Sequence, residues 1–374
     1  MSAPTRFSGK DSDLAAGARN LLEGCAEIGS ETSVLIISEP ETEDFFDPGL
    51  PAELARHARA IAGSVEQEEV PFNPVVSDPD AALLQRMAGF DRVIFLARLG
   101  DQLRFRPSLG GSFAVMCYTL DRDMLASRFG RLDHAAFAEL KALVDRALAA
   151  AGEIRITCPA GTDFRGPGAA FPGGEADTSV RRFPLSVFTP VPAAGFEGRI
   201  AQAGFLCGTG SQFYKPQACE IRETLFVHVE GNRIRRFEGA ARDVAAAEAH
   251  YGMVAGKFGL DRSFLHSWHA GIHPGLSYRV PANACFDRWS NGAFGNPRIA
   301  HFHTCGRHAP GEISLNLLDP TITLDGVRVW EDGRLYPDRL PGGGELLARY
   351  PDVAAAFETP AREVGFGEAD RLTF

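Results

Sequence analysis

The first 150 residues alternate short, mainly apolar runs with helical patterns. The runs are Ser33–Ser38, Asp91–Ala97 and Ser112–Leu120, and helical periodicity is found at residues 12–24, 52–62 and 133–151. Strands that are apolar on both faces are typical of parallel sheets whose two faces are covered by helices. This part of the chain is therefore predicted to form an open α/β domain with a parallel sheet.

The pattern changes after residue 150. Glu153–Cys158 alternates polar with apolar side chains, and the turn formers Gly231-Asn232 and Asp332-Gly333 each lie between short alternating runs. Such runs around a two-residue turn are typical of β-hairpins. We therefore predict an α/β plus α+β protein: an N-terminal open parallel-sheet domain, residues 1–150, and a C-terminal domain of mainly antiparallel strands, residues 151–374.

Composition limits the partners that this chain is expected to have. The 374 residues carry a formal net charge of −10, which disfavours nucleic acid and anionic membrane surfaces as partners. The N-terminus has no apolar run of signal-peptide length, and the longest aliphatic runs have the length of strands. Seven cysteines occur without any C-x-x-C pair, which favours reduced thiols. A cytoplasmic protein is therefore predicted.

Potential metal ligands are concentrated in one stretch. Six of the ten histidines fall within 43 residues, and a carboxylate, Glu312, follows four positions after the last of them. These histidines are His266, His269, His273, His301, His303 and His308. Neutral imidazole and carboxylate are side chains that bind divalent metals, so the stretch predicts a metal site in the second domain.

Strand geometry makes this prediction more specific. In the extended run around His301 and His303, alternate residues share a face, and Glu312 and Ser314 share a face of the next run. Pairing of the two runs is predicted to place His303 near Glu312 and His301 opposite Ser314. His266 belongs to a separate segment of the sequence and could complete the metal site from a third side. Two histidines and one carboxylate favour Fe(II), although zinc and manganese accept similar ligands.

Residues 150–335 resemble a family of metalloenzymes. The segments that carry the resemblance are Ala160–Phe164, Glu223–Tyr251, His266–Pro274 and His303–Gly326. They resemble the thermophilic-type metallo-aminopeptidases (aminopeptidase T), and within that superfamily the branch typified by 2,5-dihydroxypyridine 5,6-dioxygenase. Enzymes of that branch use Fe(II) and O2 to open a hydroxypyridine ring.

The resemblance implies a set of metal ligands. His266 matches the first iron histidine of the dioxygenase branch, and His303 matches a histidine of the related aminopeptidases. Glu312 and Ser314 stand where the dioxygenase has its His-x-Asp pair. The implied ligands are therefore His266, His303 and Glu312, and Asp163 is implied to line or orient the pocket.

The predicted function is that of a non-heme Fe(II) oxygenase. It would cleave the ring of a small hydroxylated aromatic or heteroaromatic compound with O2. His269 or His308 is predicted to deprotonate the substrate hydroxyl, because imidazole titrates close to neutral pH. Asp163, His301 and Ser314 are predicted to belong to the substrate pocket, and the resemblance implies a homo-oligomer.

Two alternatives remain open from the sequence. One is a metal-dependent hydrolase of aminopeptidase type, and the other is a non-catalytic metal-binding accessory protein. Between Leu260 and Asp319 the acids are Asp261, Asp287, Glu312 and Asp319. Because two adjacent dications need several carboxylates, this small number of acids favours one metal ion over two.

Overall fold

The protein is described by a computed structural model. It describes residues 7–74, 80–104, 112–171, 178–208 and 212–366, without the side chain of Ala203. No helix within these residues is long and apolar enough to cross a membrane.

The described residues form two compact units. The first is drawn from Met1–Phe137 and Asp177–Leu185, and the second from Ala138–Ala176 and Ser186–Phe374. The chain therefore passes between the units three times. Residue 150, where we predicted a boundary, lies in the first segment of the second unit.

The first unit contains a sheet of five described strands, all of whose neighbours are parallel. Strands and helices are numbered in chain order. The sheet order is β2-β1-β3-β4-β7, with β1 Ser33–Ser38, β2 Ser64–Glu69, β3 Arg92–Leu96, β4 Phe113–Cys117 and β7 Val180–Phe183. The apolar centres of β1, β3 and β4 are buried, which confirms the parallel sheet predicted from those runs. The edge strand β2 carries three glutamates, and such charges disfavour edge-to-edge association.

Helices connect the strands of this first unit. They are α1 Asp11–Arg19, continued by a π-helical turn at Asn20–Cys25, and α2 Gly49–Ala58, α3 Ala81–Met87, α4 Leu99–Leu103, α5 Arg122–Ala126 and α6 Arg128–Arg131. A longer helix, α7 His134–Ala150, begins in the first unit and ends in the second.

The second unit contains a sheet of twelve described strands, and its neighbouring strands are antiparallel. The strands are β5 Ile154–Thr157, β6 Asp163–Gly166, β8 Val191–Pro192, β9 Glu197–Cys207, β10 Ala218–Glu230, β11 Arg233–Glu238, β12 Leu265–Ala270, β13 Ile299–Cys305, β14 Glu312–Leu318, β15 Thr321–Leu324, β16 Val327–Glu331 and β17 Arg334–Leu335. Their order is β17-β16-β15-β5-β6-β9-β14-β13-β12-β8, and the β10–β11 hairpin is attached through β9. The helices are α8 Ala241–Phe258, α9 Phe286–Ala293, α10 Gly343–Arg349 and α11 Pro351–Glu358.

Both predicted hairpins of the second unit are confirmed. β10 pairs with β11 across Gly231-Asn232, and β16 pairs with β17 across Asp332-Gly333. All four of these turn residues have positive φ angles, as two-residue turns of type I′ require. The antiparallel second domain was therefore correctly predicted from its turn residues.

An aromatic core lies against one face of β12 and β13. Trp268 and Phe302 are directly opposite each other on these strands. Phe164 approaches Phe302 edge-on with ring centroids 5.5 Å apart, and Phe196 stacks on Phe164 at 5.1 Å. Full burial of each such ring contributes roughly 1.5–3 kcal/mol to folding. This packing fixes the two strands and leaves their other face to polar side chains.

Candidate metal centre

The polar face of β13 and β14 forms the base of the site. Cys305 pairs with Glu312, and His303 pairs with Ser314. The predicted alternation is therefore confirmed, since His301, His303, Glu312 and Ser314 share one face. The predicted position of His301 opposite Ser314 is wrong by two residues, because the six-residue loop 306–311 sets a different register.

A third strand adds another histidine to this face. His269 on β12 is directly opposite His301 on β13. Residues that are directly opposite in antiparallel strands have neighbouring side chains on the same face. The pairing of β12 with β13 therefore brings together histidines that are 32 positions apart in the sequence.

A β-bulge displaces His266 from this regular pattern. Leu265 pairs with Thr304 and Ser267 pairs with His303, so two steps along β12 match one step along β13. His266 is the extra residue. A bulge bends its strand and redirects the side chain of the unpaired residue.

Three histidines form a compact buried group. One ring nitrogen from each of His269, His301 and His303 lies within 4.8 Å of the others. The ring centroids are 3.9 Å apart for His269 and His301, 4.9 Å for His269 and His303, and 5.1 Å for His301 and His303. The three residues are at most 7% exposed. We call these residues the three-histidine group.

A backbone carbonyl contacts the ring of His269, and an aromatic ring stacks on that of His301. The carbonyl oxygen of Phe188 lies 3.3 Å from Nδ1 of His269. Because a carbonyl can only accept a hydrogen bond, Nδ1 carries the proton and Nε2 keeps its lone pair, close to Nε2 of His301. Phe294 stacks on His301 with centroids 4.2 Å apart and an interplanar angle of 24°.

Glu312 lies against the third ring. Its Oε1 is 2.7 Å from Nδ1 of His303, although the two atoms are not aligned as in a hydrogen bond. Nε2 of His303 is buried and has no hydrogen-bond partner among the described residues. Metal-binding histidines commonly have a carboxylate near one ring nitrogen and use the other nitrogen as the ligand atom. The donor set of the three-histidine group therefore fits a divalent metal ion.

A second polar cluster lies beside His303. Ser314 donates from Oγ to Oδ1 of Asn316 at 2.9 Å, and Asn316 donates from its backbone nitrogen to Oε1 of Gln202. The Nδ2 of Asn316 is 3.5 Å from the sulfur of Cys207. Burial raises the pKa of the Cys207 thiol to about 12, so this thiol stays protonated at neutral pH and is a poor metal ligand. Ser314, a predicted pocket residue, is thus engaged in a buried hydrogen-bond network.

His266 lies outside the three-histidine group. Its ring packs against Phe264 with centroids 4.2 Å apart, and its Nε2 lies 3.2 Å from the carbonyl oxygen of Cys305. Burial lowers the pKa of His266 to about 4. Of the ligands implied by the sequence resemblance, His303 belongs to the group, Glu312 lies against it, and His266 lines a cleft beside it.

The remaining predicted site residues are exposed. His308 lies in the loop between β13 and β14, where its Nδ1 donates to the carbonyl oxygen of Ala309 at 2.7 Å. Asp163 lies on β6 in an ion pair with Arg155 at 2.9 Å. The hydrogen bond from Arg155 lowers the pKa of Asp163. Asp163 lines a polar groove with other charged residues of β5, β6 and β9, and neither Asp163 nor His308 belongs to the three-histidine group.

Two supporting residues were not anticipated from the sequence. Phe188 contributes a backbone carbonyl, which carries no side-chain signal, and Phe294 is one of 27 phenylalanines. His269 and His301 were predicted as a base and a pocket residue. Both occupy the same face as His303 because of strand pairing that local sequence patterns do not reveal.

Comparison with known proteins gives one structural likeness. No protein-family model and no curated protein sequence matches the chain. A solved structure of 2,5-dihydroxypyridine dioxygenase from Pseudomonas putida KT2440 is similar, with a TM-score of 0.59 and 15% sequence identity over 88% of this chain and 99% of that chain. At this identity the likeness shows a shared fold. Membership of the aminopeptidase T superfamily stays a prediction.

Proposed function

We propose that this chain is a non-heme, metal-dependent dioxygenase that cleaves the ring of a small hydroxylated aromatic or heteroaromatic compound. His269, His301 and His303 would hold the metal, and Fe(II) is the proposed ion. The observation that carries the proposal is the three-histidine group, with its nitrogens within 4.8 Å and Nε2 of His303 unsatisfied. The fold likeness to a protein described as a dioxygenase supports the oxygenase class.

The chemistry follows from the donor set. Imidazole nitrogens bind divalent iron, zinc and manganese, and three protein ligands leave positions open for small molecules. Fe(II), when bound, would bring O2 and the substrate hydroxylate together and relay electrons from the aromatic ring, which is oxidised, to O2, whose two atoms enter the product. Around the group, the Phe188 carbonyl fixes the tautomer of His269, Glu312 orients His303, and Phe294 shields His301 from water.

His308, which is exposed, is the residue proposed to pass the proton of the substrate hydroxyl on to solvent. As a ligand, His269 would have no nitrogen left for proton transfer, because its Nδ1 donates to Phe188. Nδ1 of His308 donates to the carbonyl oxygen of Ala309, so in this tautomer Nε2 is the ring nitrogen that carries no proton. His308 also lines the cleft that adjoins His266.

Metal analysis of single variants tests the ligand set. His269→Ala, His301→Ala and His303→Ala are each expected to lose stoichiometric iron after anaerobic loading with Fe(II) and removal of excess metal. His266→Ala is expected to retain it. A surface control, His228→Ala, removes an imidazole that pairs with Glu238 on β11 and should also retain iron. Loss of iron in His266→Ala together with retention in His269→Ala and His301→Ala would instead support the ligands implied by the sequence resemblance.

Oxygen uptake tests the reaction class. The iron-loaded protein is expected to consume O2 with a subset of hydroxylated aromatics or heteroaromatics, and His303→Ala is expected to consume none. Mass spectrometry of the product should show addition of both oxygen atoms of O2. Full iron occupancy without substrate-dependent O2 uptake across such a panel would exclude the oxygenase proposal for those compounds. It would favour the hydrolase candidate instead.

A hydrolase is the second candidate, favoured by the same three imidazoles. Three histidines with an open position also form the ligand set of some catalytic zinc sites, where bound water becomes nucleophilic near neutral pH. Zinc-loaded protein should then release amino acids from small peptides without consuming O2. The two assays together separate the candidates.

A further inference from the structure

A cleft of about 570 Å3 opens beside the loop that joins β13 and β14. We call it the hairpin cleft. The lining side chains used below are Arg233, Phe258, Phe264, His266, Arg307 and His308. Pockets of about 300–1,000 Å3 are of the size that small organic ligands occupy.

The walls of the hairpin cleft combine aromatic rings with guanidinium groups. Phe258 and Phe264 line it, and the guanidinium of Arg233 lies 4.6 Å from the centroid of Phe264. Arg307 lies over the ring of Phe171 at 5.1 Å. Planar aromatic ligands pack well against such surfaces, because both rings and guanidinium groups offer flat faces.

The charge of the cleft is opposite to that of the whole chain. Its lining includes two arginines and one carboxylate, Asp261, which pairs with Arg233. The lining therefore carries a positive formal charge while the chain carries −10. A positive cleft on an acidic protein attracts anions locally, and arginine recognises carboxylates through paired hydrogen bonds.

His266 adds a hydrogen-bond acceptor to this positive cleft. Its Nε2 lies 3.2 Å from the carbonyl oxygen of Cys305, so Nε2 carries the proton and Nδ1 is an acceptor. Its ring packs against Phe264, with ring centroids 4.2 Å apart, which fixes the imidazole in the wall of the cleft. The β-bulge thus sets one acceptor imidazole in the lining of the hairpin cleft.

We propose that the hairpin cleft binds the substrate and that the substrate is a hydroxylated aromatic carboxylate. Its carboxylate would pair with Arg307, its hydroxyl would donate to Nδ1 of His266, and its ring would pack against Phe258 and Phe264. The proposal rests on the proposed function for the reaction, and it narrows the substrate class from hydroxylated aromatics to their acids.

Binding to the metal-free, full-length protein tests the cleft independently of catalysis. Isothermal titration with 4-hydroxybenzoate, benzoate and phenol should rank 4-hydroxybenzoate as the tightest ligand. Arg307→Gln should weaken both acids by about tenfold or more and leave phenol unchanged, because only the acids lose a charge-assisted hydrogen bond. Arg307 is exposed, so this variant is expected to fold. The matched control, Arg262→Gln, removes an arginine that pairs with Glu248 outside the cleft and should bind all three as the parent does.

A second variant tests the hydroxyl contact. His266→Phe keeps a ring against Phe264 but removes the acceptor, so the affinity for 4-hydroxybenzoate should fall towards that for benzoate. Equal affinity of the parent for phenol and 4-hydroxybenzoate, absence of binding by either acid, or an unchanged preference in Arg307→Gln would each overturn the proposal.

The outcomes also separate the cleft from the metal site. Selective binding of 4-hydroxybenzoate by a chain that binds no metal would refute the proposed function and leave the cleft intact. Substrate-dependent O2 uptake by the iron-loaded chain without any preference for acids would refute the cleft alone.

Discussion

Replacement of Glu312 by glutamine is the sharpest test of the proposed metal binding by the three-histidine group. Glu312 is 1% exposed, and its Oε1 lies 2.7 Å from Nδ1 of His303. Glutamine has almost the same volume, so Glu312→Gln leaves the packing intact and removes only the charge and one acceptor oxygen. Any change in metal affinity then reports on the carboxylate itself.

The position of the carboxylate sets the expected magnitude. A group that contacts the non-ligating nitrogen of a metal-binding histidine typically changes metal affinity by about 10- to 100-fold. This corresponds to about 1.4–2.7 kcal/mol of binding free energy. Because Glu312 is buried, solvent screens its charge little, and we expect a loss towards the upper end of that range.

Competition against a chromophoric chelator measures this affinity, with Zn(II) as a probe that does not change oxidation state. Glu238→Gln is the matched control, since Glu238 also lies beside a histidine, His228, at 2.9 Å, but on the surface. We expect the control to bind zinc as the parent does. An affinity of Glu312→Gln within twofold of the parent would refute the orienting role, and complete loss of stoichiometric binding would make Glu312 a ligand.

Three further predictions concern stability. Phe294→Leu removes the ring stacked on His301 and should lower the free energy of unfolding in urea by about 1 kcal/mol. Arg98→Met leaves the buried carboxylate of Glu39 without its bidentate partner and should cost about 3–5 kcal/mol, of which the double variant with Glu39→Gln should recover most. Burial lowers the pKa of His250 to about 4, so between pH 6.5 and 4 this histidine binds a proton in the unfolded chain but not in the folded one. The free energy of unfolding therefore falls as the pH drops through that range. In His250→Leu this fall should be smaller by about 3 kcal/mol.

A different experimental outcome would contradict each of these three stability predictions. Unchanged urea midpoints and slopes in Phe294→Leu would mean that the stacked ring contributes nothing measurable. A double variant as unstable as Arg98→Met alone would show that the cost comes from lost packing of the arginine stem rather than from an unpaired carboxylate. Parallel pH curves for His250→Leu and its parent would show that His250 titrates normally in the folded chain.

Much of the fold could be predicted because its signals are local. Apolar runs identified the inner strands of the parallel sheet, and turn residues identified both hairpins. The strand β7, Val180–Phe183, gave no such signal, because two of its four residues are arginines. It joins the first unit by pairing with β4, and this pairing depends on chain segments more than 60 residues apart.

For the candidate site too, features set by local sequence were predicted and features set by strand pairing were not. Alternation along one strand placed His301 and His303 on a common face, and that prediction is confirmed. The register of β13 against β14 depends on the loop after Cys305, a residue with a φ angle of 64°. The register predicted from the sequence was wrong by two residues. The approach of His269 depends on the pairing of β12 with β13, which no spacing within either strand specifies.

The bulge in β12 also bears on how a chain of this kind could change its specificity. If Leu265 were deleted, the mismatch in length between β12 and β13 would vanish, and His266 would pair with Thr304. The imidazole would then turn towards the face where Thr304 meets the hydroxyl of Tyr251 at 2.6 Å, away from the hairpin cleft. His269 and His301 would keep their partners. A single-codon deletion could therefore alter which molecules the cleft accepts while the three-histidine group remains unchanged.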